Sequence, residues 1–575
     1  MSNSGEIEPK QKQTMERGGL RATLFVFGTT ALESIIFVGN AVSLFVYFYG
    51  TMNFSLTKSA TMLTNYMGSA YVLSLLGGFI CDTFLTRFTT CVLFGSIQVV
   101  GYVILTIQAF IDHLKPAPCK DITLLLMNKC EKSDDGQTLM LYTGLYLVAL
   151  GVGGIKAAVP SLGADQYDEK NPEEAVYIPT YFNWYFFSFV CGAVIGTTFL
   201  VWVNTYRGWD WGFLVSTLTM TAAVLFLCTG FSFFRHSTPK GSPLTRIAQV
   251  FVAAFKNRKL SRPETEEGYH EISDNKDGTE IEILKKTNQF KFLDRAAIIR
   301  TADSSDTGPW SVCTVTQVEE TKIVVRMLPI IGSTIFLNTC LAQLQTFTVQ
   351  QANTLDRNVI GIHVPSSSIP VIPLGIMFFA VPIYDRFCVP ALRKLTGIPT
   401  GIRQLQRIGV GLVLSTLSMV VGGYVETRRK RIAVHHNMVD SQMPLPMNVM
   451  WLGLQYGIFG MADMFTMVGL LDFFYSESSA GMKSLGVAFT WLSSAIGYYL
   501  STVIVNLVDD LSGGWFESNN LNRDKLNYYY YLFAGLSTLN FGFYLLCSSW
   551  YRYRDSGVKE IEGESKVEMG SVSAV

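Results

Sequence analysis

The amino-acid sequence predicts an all-α membrane protein whose twelve transmembrane helices form two six-helix bundles. Hydrophobic residues make up 49% of the 575 residues, whereas charged residues make up only 16%. A soluble domain carries about 25% charged residues, so this composition is typical of a chain that lies largely within a bilayer. Apolar stretches of about 20 residues, the length that crosses the hydrocarbon core, recur along the chain.

Each bundle is predicted from its own run of apolar stretches. The first six lie at 24–49, 60–81, 90–111, 139–162, 181–203 and 211–234. The second six follow a long hydrophilic stretch and lie at 322–349, 370–389, 408–425, 447–475, 485–508 and 528–550. The resulting organisation is an amino-terminal tail over 1–22, an N-terminal bundle over 23–235, a linker with an amphipathic helix over 236–321, a C-terminal bundle over 322–551 and a tail over 552–575.

The basic residues predict which side of the membrane faces the cytosol. The chain does not begin with the order of charged, apolar and small residues that marks a cleavable signal peptide, so the first span is expected to remain as an anchor. The linker carries Lys256, Arg258 and Lys259, and positive residues favour the cytosolic side. An even number of spans then places both termini in the cytosol. The basic run at 428–431 falls on the other side, and we interpret it as a helix that continues beyond the bilayer.

A lysine lies in the middle of the fourth predicted span. Burying an ammonium group there costs at least a few kcal/mol, so ionisable groups inside a membrane usually pair, face a water-filled cavity and serve transport. Lys156 therefore requires a partner, and the other embedded charges are Glu33 in the first span and Asp463 in the tenth. One base and two acids predict a charged central cavity. The alternative is an ion pair that only fixes the register of the helices.

Composition and motifs exclude several functional classes. Basic and acidic residues each number 45, and no dense basic arm favours nucleic-acid binding. The 6 histidines show no metal-ligand spacing, and the glycine-rich phosphate loop that an ATP-driven pump needs is missing from the sequence. We therefore predict neither an enzyme nor a bound cofactor. The remaining energy source is an ion gradient, and a proton gradient is the natural one if Glu33 titrates near neutral pH.

The loop after the second span contains a recognisable motif. Residues 78–87 read Gly-Phe-Ile-Cys-Asp-Thr-Phe-Leu-Thr-Arg, which resembles a signature of the major facilitator superfamily. More specific matches lie, in order, at 163–169, 181–186, 317–322 and 520–522. Together they resemble the plant nitrate transporter/peptide transporter family, within the proton-dependent oligopeptide transporter group. The resemblance covers almost the whole chain and implies two bundles that rock around a midplane site, with Asp82 and Arg87 closing the cytosolic gate.

The resemblance also implies roles for the embedded charges. The first span of the family normally carries Glu-x-x-Glu-Arg for proton coupling, but here Thr30 and Ser34 replace one acid and the base, and Glu33 remains. Asp463 stands in place of the usual glutamate of the tenth span. Glu33 and Asp463 are therefore the expected proton-coupling residues. Lys156 occupies the family's lysine in the fourth span and is the expected binding site for the negative charge of the substrate.

Further matches concern the substrate. Residues 153–156 and 462–466 lean toward the branch of the family associated with abscisic acid, gibberellins and nitrate. Leu341 stands where the family's dual-affinity nitrate carrier has a histidine, so an imidazolium is not present to bind nitrate. A larger, partly apolar anion, oriented by amides and phenols, fits this cavity better. The candidate lining residues, assigned from span depth and family position, are Tyr47, Asn65, Tyr66, Gln343, Gln345, Phe347, Gln455, Phe465 and Trp491.

The combined expectation is a secondary active transporter that imports a small organic anion with protons. Abscisic acid, a gibberellin or another plant metabolite would be the substrate, and the plasma membrane is favoured over the vacuolar membrane. The partners would then be the substrate, protons and the lipid bilayer. An uncoupled facilitator, a nitrate transporter and a ligand sensor that transports nothing are the alternatives.

Three kinds of modification are also expected. Thr90 stands where the dual-affinity relative carries a regulatory phosphothreonine, which predicts a kinase as a further partner. Cys119 and Cys130 share the non-cytosolic loop after the third span, where a disulfide can form. Asn53 begins the sequon Asn-Phe-Ser, an acceptor for N-glycosylation.

Overall fold

The computed structural model describes residues 18–553 except 55, 118–130, 132, 169–170, 238–240, 262, 264–267, 271–283, 285, 300–307, 360–361, 365–367, 399, 442, 513–514 and 516–520. Long helices dominate this described part of the chain. Most of them are long and apolar enough to cross a bilayer. The prediction of an all-α membrane protein is therefore confirmed.

The described residues of the N-terminal half form mainly long helices. Its described residues form α1 (Gly19–Gly50), α2 (Leu56–Thr83), α3 (Arg87–Phe110), α4 (Asp135–Ala164), α5 (Tyr177–Ile195) and α6 (Trp209–Thr229). A π-helical turn, Gly196–Leu200, continues α5 into Val201–Tyr206. Short helical segments lie at Asp112–Leu114, Pro172–Ala175 and Phe231–Phe233.

The C-terminal half repeats this pattern. Its described residues form α7 (Val315–Asn353), α8 (Val371–Ile383), α9 (Gln404–His435), α10 (Leu452–Glu477), α11 (Lys483–Ser512) and α12 (Leu526–Trp550). A π-helical turn, Tyr384–Cys388, continues α8 into Val389–Thr396, and a 3-10 turn, Val449–Trp451, precedes α10.

Two small sheets lie beside the connections of the C-terminal half. Strand β1 (Leu355–Asp356) pairs in parallel with β4 (Leu445–Asn448). Strand β2 (Asn358–Val359) pairs antiparallel with β3 (Ile362–His363). Each strand has only two to four residues, so the sheets fasten loops and do not form a layer of their own.

The linker contributes its own ordered segment. An amphipathic helix, called here the linker helix, spans Pro243–Lys256, and a 3-10 segment, Leu293–Ala297, packs against it. The linker helix also contacts α2 and α7. We call the end of the bundle on which it lies the linker face.

Eleven helical segments of the described residues qualify as membrane spans by length and hydropathy. Helix α2 is not among them, because its serine, threonine and asparagine side chains lower its hydropathy, yet it is 28 residues long. It packs between α4 and α11 and so lies at the interface of the two halves. A polar surface is tolerated there because neighbouring helices, and not lipid tails, cover it.

Helix α7 begins at Val315, seven residues before the predicted boundary at 322. The Thr314 side chain caps its first turn by accepting a hydrogen bond from a backbone amide. Lys322 is fully buried, and its Nζ lies 2.6 Å from both Asp294 and Glu319. Because other side chains of the protein neutralise these charges, the helix continues through a stretch that hydropathy alone places outside the membrane.

The basic run at 428–431 lies inside α9, which continues unbroken to His435. Arg429 is fully buried and pairs with Glu426 at 2.7 Å. Gln351 of α7 donates a hydrogen bond to Glu426 at 2.6 Å, and Gln455 of α10 donates to Gln351 at 3.2 Å. A buried polar network therefore ties three helices of the C-terminal half together.

Replacing Glu426 with Ala leaves the Arg429 guanidinium buried without its carboxylate. We expect the free energy of unfolding to fall by about 3–5 kcal/mol, the usual cost of breaking a buried pair from one side. The matched control is Asp440→Ala, which breaks the exposed pair that Asp440 forms with Arg523 and should change stability little. Denaturant unfolding of the purified protein in detergent measures both variants, and equal losses would contradict the role of the network.

Candidate functional site

The predicted base and one predicted acid meet at the centre of the N-terminal half. Lys156 of α4 donates a hydrogen bond to Glu33 of α1, with 3.2 Å between Nζ and Oε2. Both side chains are 3% exposed. The other carboxylate oxygen of Glu33, Oε1, is buried and has no hydrogen-bond partner among the described residues. The pair is thus deeply buried and only partly satisfied, which is costly in a low dielectric.

Aromatic rings enclose the ammonium group of Lys156. Its Nζ lies 4.5 Å from the ring centroid of Phe37 on α1 and 5.1 Å from that of Phe189 on α5. Trp491 of α11 closes the third side, also at 5.1 Å from its ring centroid. Cation–π contacts of this kind contribute about 2 kcal/mol or more each when they are desolvated. We call Phe37, Phe189 and Trp491 the aromatic cage.

The cage joins the two halves of the molecule. Trp491, from the C-terminal half, donates an indole hydrogen bond to the backbone carbonyl of Lys156 at 3.1 Å. Its ring stacks on Tyr71 of α2, with 5.5 Å between centroids and 12° between planes. Tyr71 also contacts Tyr498 of α11. The site of the positive charge is therefore built from both halves.

Asp463 is the third predicted charge, and it lies on the C-terminal side of the same region. It is within electrostatic range of Tyr71 and Tyr498. The structure shows no ion pair or hydrogen bond of its carboxylate with any described residue, so Asp463 does not share Lys156 with Glu33 in this conformer. Gln345 belongs to the same region, because its side-chain oxygen accepts a hydrogen bond from Tyr498 at 2.6 Å.

Four predicted lining residues instead pack within one half. Gln455 belongs to the network of Glu426, and Gln343 donates to the Ser501 hydroxyl at 2.6 Å. Phe347 lies against Tyr529 of α12. Tyr47 packs against Trp209 and Phe213 in the first two turns of α6. In this conformer these side chains hold helices together, and their assignment to the cavity stays a prediction. Phe465 is half-buried, and its ring contacts Tyr384 of the same half.

Asn65 and Tyr66 lie in a separate groove of about 220 Å³ between α2 and α4. Met62, Tyr142, Leu145 and Tyr146 complete its lining. Leu145 precedes Lys156 by eleven residues, or three helical turns, so both lie on one face of α4, about 16 Å apart. Tyr66 is also within electrostatic range of Glu33. The groove therefore lies on the same face of α4 as Lys156.

Asp82 fastens the two halves at the linker face. Its carboxylate accepts a hydrogen bond from the backbone amide of Leu485 at 2.8 Å and a longer one from that of Ser484 at 3.4 Å. These amides belong to the first turn of α11, where they have no partner within the helix and where the helix dipole favours an anion. A Cβ added to Gly78 would lie 2.9 Å from the carbonyl oxygen of Ser484, so a glycine is required for this close approach.

Arg87 reinforces the same contact. It pairs with Asp165 at the end of α4 and donates to the hydroxyl of Ser484 at 3.2 Å. Tyr475 of α10 donates to Asp165 at 2.7 Å. Asp82 and Arg87 thus act on the opposite half and do not pair with each other. We call this set of contacts the first latch.

A second latch occupies the equivalent place between α5 and α8. Asp385 accepts hydrogen bonds from the side-chain amide of Asn183 at 2.7 Å and from the indole of Trp184 at 3.2 Å. The rings of Phe187 and Phe378 pack together beside it. Each half therefore contributes one carboxylate that binds the other half, and the linker face is closed.

The predicted modification sites have different surroundings. Thr90 is fully buried, and its hydroxyl donates to the carbonyl of Thr86 at 3.0 Å, so a kinase would reach it only after the gate opens. Asn53 is buried as well, and its Nδ2, the atom that carries a glycan, donates to two loop carbonyls at 2.9 and 3.1 Å. Glycosylation would break both bonds. Cys119 and Cys130 lie outside the described residues.

In the described ranges no group of three or more His, Cys, Asp or Glu side chains is positioned to hold a metal ion. The buried Lys156 pairs with Glu33 and faces aromatic rings.

Two helical halves closed at one face around a midplane charge pair define a secondary transporter of the major facilitator type. The sequence model of the POT family matches residues 88–519, and the chain belongs to that family. This is a family of transporters, so the chain is not an enzyme.

Named relatives agree with this assignment. The Arabidopsis thaliana protein NRT1/PTR FAMILY 4.5 is 40% identical over 546 residues, which cover 94% of each chain. The POT family transporter PepTSo has a similar structure, with a TM-score of 0.61, 16% identity and coverage of 92% and 98%. A POT family transporter in complex with 5-aminolevulinic acid is also similar, with a TM-score of 0.58, 13% identity and coverage of 93% and 97%. At such low identity the two structures demonstrate the fold alone.

Several residues of the site were not predicted from the sequence. Phe37 could have been found, because it follows Glu33 by four residues and so lies one helical turn away on the same face of α1. Phe189, Tyr71 and Tyr498 had no comparable signal. Each stands in an apolar stretch on a different helix, and only tertiary packing of α2, α5 and α11 brings them to this region.

Removing either latch should open the linker face. Cys81 is buried beneath the first latch and is only 2% exposed, so its rate of modification by maleimide reports opening. We expect Asp82→Ala and Asp385→Ala each to raise that rate about tenfold, as the loss of one hydrogen bond to a charged group costs about 1.5–3 kcal/mol. Mass spectrometry of each cysteine measures the rate, with Cys228 of α6, which belongs to neither latch, as internal reference.

The control for this experiment is Asp112→Ala, which removes an exposed carboxylate beside Lys115 and touches neither latch. Asp385 is far from Cys81 in the fold, so acceleration by Asp385→Ala cannot come from a local change at the thiol. Unchanged labelling in Asp385→Ala would show that the second contact does not hold the gate.

Proposed function

We propose that this protein couples the import of a small organic anion to the entry of protons. The observation that carries the proposal is the buried pair of Lys156 and Glu33 inside a cage formed by both halves. A cation held in the midplane of a membrane protein attracts an anionic substrate strongly, because the local dielectric is low. Substrate binding then consists of replacing one carboxylate by another.

The aromatic cage supports an organic substrate over a bare inorganic ion. Phe37, Phe189 and Trp491 offer ring faces beside the cation, so the apolar body of a substrate can pack where its carboxylate meets Lys156. The related transporter bound to 5-aminolevulinic acid supports a carboxylic acid as the type of ligand. A plant hormone with one carboxylate, such as abscisic acid or a gibberellin, has this chemistry.

Proton coupling follows from the state of Glu33. Its Oε1 is buried without a partner among the described residues, so the carboxylate is poorly satisfied as an anion. When a substrate carboxylate takes its place at Lys156, Glu33 no longer faces this ammonium group, and a proton neutralises its buried charge instead. Proton and substrate therefore arrive together. Asp463, which lies on the C-terminal side, is the second acid available for this exchange.

Alternating access supplies the movement. Both latches close the linker face, whereas the groove between α2 and α4 lies toward the other end, on the face of α4 that carries Lys156. With the linker face in the cytosol, this conformer receives substrate from outside the cell, and the plasma membrane is the expected location. Rocking of the halves would break the latches and release substrate inward.

An uncoupled facilitator is the second candidate. It is favoured by the uncharged residues Thr30 and Ser34, which cannot carry a proton in place of the family's acid and base; the Thr30 hydroxyl donates to the carbonyl of Val26 at 2.8 Å. Uptake of labelled abscisic acid, gibberellin, nitrate and a dipeptide into oocytes at two external pH values tests both candidates and identifies the substrate. Import that rises in acid and depolarises the cell supports coupling, whereas import without either effect supports the facilitator. If none of the four compounds accumulates, the protein is not an importer of these compounds.

Lys156→Ala should reduce uptake of the anion at least 100-fold, because a buried charge contact of this kind contributes about 3–5 kcal/mol. The double variant Lys156→Ala/Glu33→Ala separates binding from stability, since it leaves no unpaired charge in the cage. We expect the double variant to reach the membrane at the wild-type level and still to transport nothing. Recovery of uptake in the double variant would show that the pair only stabilises the helices.

Glu33→Gln keeps the size of the side chain and its ability to accept a hydrogen bond but removes its titration. In reconstituted vesicles we expect accumulation driven by a pH gradient to disappear, while exchange of labelled for unlabelled substrate continues. Asp463→Asn tests the second acid in the same assay. Full accumulation in the Glu33 variant would remove this residue from the coupling mechanism.

A further inference from the structure

The linker helix presents an apolar stripe that the rest of the described chain does not cover. Leu244, Phe251, Val252 and Phe255 are all exposed, Phe255 to 67%. Positions 244, 251 and 255 are seven and four residues apart, so they form one line along the helix. The opposite side is buried, with Val250 and Ala253 packed against the segment Leu293–Ala297 and the start of α7.

Basic residues follow directly at the carboxyl end of this stripe. Lys256, Arg258 and Lys259 are exposed within four positions of one another. The Arg258 guanidinium lies 4.2 Å above the ring of Phe255, so charge and apolar surface form one continuous patch. A helix with large apolar residues on one side and cations at its end is suited to the boundary between lipid headgroups and acyl chains.

The position of the helix supports this membrane depth. It contacts α2 and α7 where these helices reach the linker face. Exposed aromatic residues mark the same end of the bundle, with Phe84 after α2, Phe231 and Phe233 after α6, Phe292 in the linker and Trp550 at the end of α12. Aromatic side chains gather where membrane proteins leave the hydrocarbon core.

We propose that the linker helix binds the anionic phospholipids of the leaflet at the linker face, with Phe251 and Phe255 inserted among acyl chains and Arg258 and Lys259 on the headgroups. Charge complementarity selects this occupant over a protein partner, because the cations stand at the headgroup end of an apolar stripe. Each cation near an anionic surface strengthens binding about fivefold.

This anchor is connected to the first latch. Arg246, on the buried side of the linker helix, lies 3.4 Å from Glu320 of α7. Glu320 in turn accepts a hydrogen bond from Ser479 at 2.8 Å, in the loop that leads into α11. The first turn of α11 carries the amides that Asp82 binds. Lipid bound by the linker helix therefore acts on the same structural unit as the gate.

Photoactivatable phosphatidylserine, incorporated into nanodiscs with the full-length protein, tests the proposal directly. Peptide mass spectrometry should locate lipid adducts within residues 244–259, several-fold more than with photoactivatable phosphatidylcholine at the same concentration. Adducts on lipid-facing surfaces of the spans provide an internal reference in each sample. The readout is lipid contact alone, so it does not depend on whether an organic anion is transported.

Two variants separate the contribution of the cations to lipid binding from that of the aromatic side chains. Arg258→Gln/Lys259→Gln should lower phosphatidylserine adducts on the linker helix to the phosphatidylcholine level. Two cations at about fivefold each set the upper limit of this loss at about 25-fold. The matched control, Arg431→Gln/Lys525→Gln, removes two exposed cations at the opposite face and should leave the adducts unchanged. Phe251→Ser/Phe255→Ser should remove adducts of both lipids. The proposal is overturned if residues 244–259 stay unlabelled while the spans are labelled, or if both lipids label them equally.

Discussion

The buried ion pair between Lys156 and Glu33 is the constraint on which the rest of the molecule depends. An ammonium group in the middle of a membrane bundle requires a carboxylate and ring faces around it. The structure supplies the carboxylate of Glu33 at 3.2 Å and three ring centroids at 4.5 and 5.1 Å from Nζ. Because Trp491 comes from the other half, the environment of the cation depends on how the halves are arranged. Any rocking of the halves therefore changes the electrostatic energy of Lys156, which is what a transporter needs to couple binding to movement.

The two latches give this movement defined end points. Asp82 binds the open amides at the start of α11, and Asp385 binds side-chain donors on α5. Both use a carboxylate from one half and neutral donors from the other, so neither latch is a full salt bridge across the interface. Bonds of this strength hold a conformer and can still be broken by the binding energy of a substrate and a proton. Arg87 and Asp165 strengthen the first latch only, which makes the two sides of the gate unequal.

The C-terminal half uses its buried polar groups differently. The pair of Glu426 and Arg429 is joined by Gln351 and Gln455, and the hydrogen bonds that link these four described residues all lie within that half. Its function is to keep three helices in one rigid unit. The N-terminal half instead keeps a partly unsatisfied carboxylate at Glu33. The two halves thus use buried polar groups differently: a network that joins three helices in one, and a charge pair inside aromatic rings in the other.

The sequence by itself determined the membrane class, the two-bundle architecture, the family and the three embedded charges, because each depends on local properties such as span hydropathy, motif order or a charged residue in an apolar run. It did not decide which amide or aromatic residues line the site. Gln455 and Phe347 have the same depth and chemistry as true lining residues, yet the rotation of their helices turns them toward neighbours within one half. Phe189 and Tyr71 looked like ordinary apolar positions, and they reach the site only through the packing of α5 and α2. Helix rotation and the contact between halves are set by the sum of many weak contacts, so tertiary structure alone decided them.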